Sequence, residues 1–224
     1  MKLANPLAES QIAAAGALHD MLEDWMAAER ALDNLATTMP SNTERDQVLV
    51  KAAALNQLYG TNVYRLHDMA LNIVETFSSK ADGEDDCALV ERLADLPTSP
   101  KFHESFASKY CHFFIDADRF PLFDRYVPVT ARLHLGRGNY RCKVTAHIYR
   151  NLYADLTTLR ANLSFSPSVR ELDHYLWLRG QWEAFRDGKR IGSEVAGLFK
   201  RSMRNNDVQL LLDAMCGNPP SGQL

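Results

Sequence analysis

The stretch SFASKYCHFFIDADRFPLFDRYV, residues Ser105 to Val127, carries the densest pattern in the chain. Phe106, Tyr110, Phe113 and Phe114 recur at helical spacing, which predicts a helix over 103–115 with an aromatic core stripe. Lys109 and His112 are three residues apart and share a different face of it. Pro121 suits an early helical position, where its missing N–H costs nothing. It therefore predicts a second helix over 121–134 with Asp124 in or near the first turn, and the corner between the helices places Lys109 and Asp124 within potential reach of each other.

Working outward, the same period dominates. Leu18, Leu22, Trp25, Met26, Leu32 and Leu35 fall on one face and predict one long amphipathic helix. Pro40-Ser41-Asn42-Thr43 breaks it, with Asn42 or Thr43 as the next N-cap before a helix from Val48 to Tyr59. Gly60-Thr61-Asn62 predicts a turn, Val63 to Phe77 a further helix, and SSKADGEDD an acidic loop. Helical patterns follow at 86–95, 141–163, 168–187, 191–204 and 206–215, with Ser168 and Glu171 spaced as a capping box. No strand and no internal repeat is apparent. The expected fold is all-α, a single compact domain of nine or ten helices over 1–216, ending in a frayed tail, GNPPSGQL.

Composition agrees with an ordinary globular chain: 224 residues, 46% apolar, 24% charged. No run approaches the roughly 20 apolar residues of a membrane span. The N-terminus lacks the apolar core of a secretory signal. Cys87, Cys111, Cys142 and Cys216 lie far apart with no CxxC pair, which predicts reduced thiols in a cytoplasm; a soluble monomer is the expected state. Neither HExxH nor a Cys/His cluster occurs, and no metal or cofactor is implied. A P-loop, a serine triad and a kinase signature are also missing, which leaves ATP chemistry and acyl transfer without support. Charge is uneven: residues 1–100 carry 7 basic and 16 acidic side chains, and residues 101–224 carry 18 and 12. Between Arg119 and Arg150, seven Lys/Arg face one acid, Asp124. That local excess suits a polyanion. RLHLGRGNYRCK (132–143) is the best loop for phosphate contacts, because Gly136 and Gly138 free the backbone while Arg132, Arg137, Arg141 and Lys143 supply charge.

In these residues the chain resembles the helix-hairpin-helix superfamily of DNA glycosylases. Lys109 matches that family's lysine, Phe120-Pro121 its apolar-proline connection, and Asp124 its aspartate. ALNQLYGTN (54–62) resembles the helix end whose Asn or Gln enters the duplex. The family's Leu-Pro-Gly-x-Gly turn has no counterpart here, since LPTSPKFHESFASK contains no glycine. The resemblance covers about residues 45–135. It implies an all-α enzyme that flips a modified base out of double-stranded DNA and cleaves its N-glycosidic bond to leave an abasic site. Asp124 would stabilise the oxocarbenium ion and Lys109 would act as the amine of a lyase step. Asn56, Gln57 and Tyr59 would form the wedge, Tyr110, His112, Tyr175 and Trp177 the base pocket, and Arg125 with the 132–143 cations the backbone contacts. Excision of glucosylated hydroxymethylcytosine from phage DNA as antiviral defence is a setting the resemblance permits, as is repair of the cell's own DNA. The residues alone also fit a non-catalytic helical module that binds protein or DNA.

Overall fold

The computed structural model describes residues 2–80, 83–138 and 148–217 of the chain. Within them the protein is all-α: α1 (Glu9–His19), α2 (Glu23–Thr38), α3 (Arg45–Tyr59), α4 (Leu66–Ser78), α5 (Asp86–Ala94), α6 (Glu104–Phe114), α7 (Val127–Leu135), α8 (Ile148–Ala161), α9 (Val169–Arg186), α10 (Ser193–Ser202) and α11 (Asn206–Cys216). Two local signals work as expected. Ser168 Oγ accepts the Glu171 amide while the Glu171 carboxylate accepts the Ser168 amide, and this reciprocal cap opens α9. Gly60 closes α3 in the left-handed region at φ 57°, where the absence of a Cβ removes the steric penalty.

Four expected boundaries move. The long helix through Leu18 and Leu35 is two helices, because Met21 N–H bonds Leu18 O and Leu22 N–H bonds His19 O in a tight corner. The Asp24 amide there donates to Glu194 Oε1. The N-cap of α3 is Glu44, not Asn42 or Thr43; Ser41 Oγ accepts the Thr43 and Glu44 amides, and Asn42 turns inward. The helix expected from Val63 begins at Leu66. Residues 121–126 are not helical, and the helix expected over 121–134 begins at Val127, with Pro128 in its first turn. Of the pattern at 141–163, residues 141–147 lie outside the described residues, as do residues 218–224 of the expected tail.

The chain gathers into two compact units. Unit 1 comprises 1–27, 124–141 and 154–224, and in it α1 packs on α9 and α11, α7 on α9, and α10 on α11. Gly180 on α9 permits a close approach: a Cβ there would come within 2.9 Å of Tyr126 O and Thr130 Oγ1. Unit 2 comprises 28–123 and 142–153, with α3 against α4 and α6, and α5 against α4 and α6. Its core includes Leu55, Met69, Ile73, Leu93, Phe106, Tyr110 and Phe120, and each such fully buried side chain contributes about 1.5–3 kcal/mol. No described helix is long and apolar enough to cross a membrane.

Candidate functional site

The site is built from α6 upward. Lys109 is buried, at 5% exposure, rather than on the surface. Its ammonium donates to Ser105 Oγ at 2.9 Å, Ser105 O at 3.3 Å and Phe123 O at 2.8 Å, and it lies 5.8 Å from the centre of the Tyr59 ring. Ser105 is one helical turn before it, so the i, i+4 spacing sets that contact. Ser108 Oγ accepts the Phe123 amide at 3.0 Å, and the buried His112 donates from Nδ1 to Phe120 O at 2.8 Å. Three α6 side chains therefore take the backbone groups of Phe120 and Phe123. Buried backbone groups must be paired somewhere, and here α6 does the pairing that a helix would have done. This is the physical reason that 121–126 does not continue the helical pattern.

Asp124 follows Phe123 in the chain. It is half-buried, and its Oδ1 accepts the amides of Tyr126 at 2.6 Å and Val127 at 2.9 Å. Asp124 precedes the helix and opens it through this turn, in place of the expected first-turn position. Carboxylates favour the N-terminal end of a helix, where the amide dipoles point at them.

The remaining expected residues scatter. Asn56 is turned inward: Oδ1 accepts from Thr61 Oγ1 and from the Val63 amide, both at 2.8 Å, and Nδ2 donates to Val63 O. It closes the turn after α3 and is not presented as a wedge. Gln57 is exposed beside the half-buried Tyr59, whose ring packs against Phe113. Tyr64, which the sequence did not single out, projects from the same turn at 90% exposure. Tyr110 is fully buried and donates its hydroxyl to Asn42 Oδ1, so it belongs to the core and not to a pocket. Trp177 packs edge-on against Trp25. The Tyr175 hydroxyl is 2.9 Å from His134 Nε2, while His134 Nδ1 donates to Asn5 O at 2.7 Å. Burial lowers the His134 pKa and keeps the ring neutral, with Nε2 as acceptor.

Two of the five expected phosphate contacts are occupied. Arg132 and Arg137 both pair with Asp155, a carboxylate only 4% exposed. Arg119 pairs with Asp86, and Arg150 with Asp85 and Glu91. Arg125 is exposed and lies over the Tyr126 ring. Arg141 and Lys143 lie outside the described residues. Burial pushes the Cys87 thiol up to about 12 and raises Cys111 further, so neither is a nucleophile at neutral pH. The one group of ligating atoms within 4.8 Å of one another, among the described residues, centres on His19 and His174. Those rings stack face to face at 3.7 Å and 10°, so their in-plane lone pairs run side by side instead of converging on an ion.

A family model described as the HI_0787_N N-terminal domain matches residues 10–119, a little under half of the chain. The match takes in α6 and Lys109 and stops before Asp124; its description states no activity. No curated protein and no solved structure matches the chain.

Proposed function

We propose that the protein is a DNA glycosylase that hydrolyses the N-glycosidic bond of a modified base flipped from duplex DNA. The observation that supports this reading is the lysine of α6, buried and anchored to the Phe123 carbonyl, immediately before an aspartate that opens the next helix. In such a reaction the bond from C1′ to the base nitrogen breaks, positive charge develops at the sugar, and the Asp124 carboxylate stabilises it while water supplies the hydroxyl of the abasic sugar and its remaining proton goes to the departing base. The Lys109 Nζ donates to Ser105 Oγ, Ser105 O and Phe123 O, whereas a lyase step needs a neutral amine free to attack C1′. The hydrolytic reaction needs no such step. Gln57 and Tyr64 are exposed on the end of α3 and in the turn after it, and on this reading they are the candidates to enter a duplex.

The test incubates wild type, Asp124→Asn and Lys109→Met with DNA from ordinary bacteria and from phages carrying modified cytosines, and counts abasic sites with an aldehyde-reactive probe. Asparagine keeps the Oδ1 acceptor for Tyr126 and Val127, so the start of α7 survives the change. Abasic sites with wild type and none with Asp124→Asn are expected. Equal counts would refute the role of Asp124, and counts at background for all three would refute the activity. Borohydride trapping of a covalent adduct with wild type but not Lys109→Met would restore the lyase.

The saturated Lys109 ammonium also fits a second reading, in which α6 merely straps the 120–123 segment in a non-catalytic helical module. Lys109→Met would then lower stability without any chemistry to lose.

A further inference from the structure

On α10, Gly197, Lys200 and Arg201 stand at i, i+3 and i+4 and so share one face, and Arg204 follows in the turn just past the αR C-cap, Met203. The opposite face, Val195, Leu198, Phe199 and Ser202, is buried within unit 1, with Phe199 held between Trp182 and Phe185. The stripe is consequently fixed outward by a packed core. It lines an open groove of about 430 Å³ together with Met203 and Asn205, and no carboxylate lines that groove. Among the described residues Lys200, Arg201 and Arg204 make no ion pair, whereas Arg119, Arg132, Arg137 and Arg150 each hold at least one carboxylate. Gly197 leaves the groove open, for a Cβ there would meet nothing within 4 Å.

We propose that this stripe docks the phosphate backbone of duplex DNA, an assignment that rests on the DNA reading above but does not require glycosylase chemistry. Three cations within five consecutive residues can meet neighbouring phosphates of one strand, which advance about 3.4 Å each. Lys200, Arg201 and Arg204 sit on flexible stems and offer only donors, while Asn205 Oδ1 is engaged by the Asp207 and Val208 amides, a set that suits phosphate oxygens. An anionic membrane is the less suitable polyanion: surface-lying helices sink an apolar face into the bilayer, and here that face is already buried, with Met203 the single large apolar side chain exposed in the groove.

The experiment measures binding of the full chain to an unmodified 30-base-pair duplex by fluorescence anisotropy across salt concentrations. Wild type, the triple variant Lys200→Ala/Arg201→Ala/Arg204→Ala, and Asp124→Asn are compared. Each neutralised phosphate contributes about 0.9 to the slope of log K against log salt. The triple variant is expected to bind more weakly on every duplex and with a slope smaller by about 2 to 3. Asp124→Asn should keep the wild-type slope. An unchanged affinity and slope in the triple variant, or no duplex binding by wild type, would overturn the proposal. Wild-type binding to phosphatidylserine vesicles in place of DNA would also overturn it. Stripe-dependent duplex binding without abasic sites on any DNA would sink the glycosylase reading and leave the docking surface standing.

Discussion

Two basic stretches look alike on paper and differ in the folded chain. Between Arg119 and Arg150 the cations outnumber acids seven to one, yet Asp85, Asp86, Glu91 and Asp155, all but one from more than 25 residues away in sequence, neutralise four of them. Between Lys200 and Arg204 there are only three cations, and among the described residues they make no ion pair. Local charge density therefore says little about the field a partner meets, because ion pairs between distant residues cancel it and nothing in a short window reveals them. A third arrangement lies in unit 2, where Lys51 is fully buried and is held by oxygen dipoles instead of carboxylates: Ser41 O at 2.8 Å, Asn42 Oδ1 at 2.6 Å and the faces of Tyr110 and Phe114.

The comparison can be broken in several places. The largest effect is expected at Asp155→Asn, which leaves Arg132 and Arg137 without their shared buried carboxylate. A loss of about 2–4 kcal/mol in urea unfolding is expected, below the full cost of a buried pair because Arg137 is partly solvated. Duplex affinity should rise at the same time if the two freed guanidiniums become available. Unchanged stability would show that the pairing does not hold this region together.

Asn42→Ala tests the buried cation. It removes an acceptor shared by Lys51 and the Tyr110 hydroxyl, and a loss of about 2–3 kcal/mol is expected. Burial lowers the Lys51 pKa to about 8. Its folded value lies below its unfolded one, so the unfolded chain binds more protons between the two, and stability should increase as pH rises from 8 towards about 10.5. Flat stability over that window in wild type would contradict the burial of a charged lysine.

A smaller effect comes from His134. Its pKa is lowered by burial, so the neutral form is the folded one, and its stability contribution is present above the unfolded pKa of about 6.5 and lost as pH falls through the folded value. His134→Gln should flatten thermal stability below pH 6.5 relative to wild type. A wild-type acid slope identical to that of the variant would mean that the imidazole titrates as if exposed.

The smallest change in stability is expected at Lys200→Ala, within about 0.5 kcal/mol, because the side chain is exposed and makes no ion pair among the described residues. Its signature is instead a salt slope of duplex binding reduced by about 0.9.

Short-range chemistry was legible throughout. The Ser168 and Glu171 cap, the left-handed Gly60, and the spans of α5, α6, α9 and α11 all follow from residues within a few positions of one another. So does the aromatic stripe of α6, whose Phe106 and Tyr110 are fully buried as expected. The errors have a common cause. Pro121, Leu122 and Phe123 satisfy a helical pattern, but the side chains of Ser108, Lys109 and His112 take the backbone groups of Phe120 and Phe123 that flank them. Asn42 reads as a cap and serves instead as the acceptor for a buried ammonium. Asn56 reads as a wedge and closes a turn. In each case a polar side chain found a partner that spacing could not announce.

By itself, then, the sequence determined that this chain is helical, where most of its helices lie, and that Lys109 and Asp124 fall on either side of a corner. Those features depend on periodicity and on caps, which are local. The tertiary structure alone decided which cations are cancelled, that Lys109 is buried and hydrogen-bonded to Ser105 and Phe123, that Asp124 opens α7, and that a basic stripe at the end of α10 makes no ion pair among the described residues. Those depend on which distant groups are brought within about 3 Å. At that range desolvation and hydrogen bonding, not residue type, set what a charge can do.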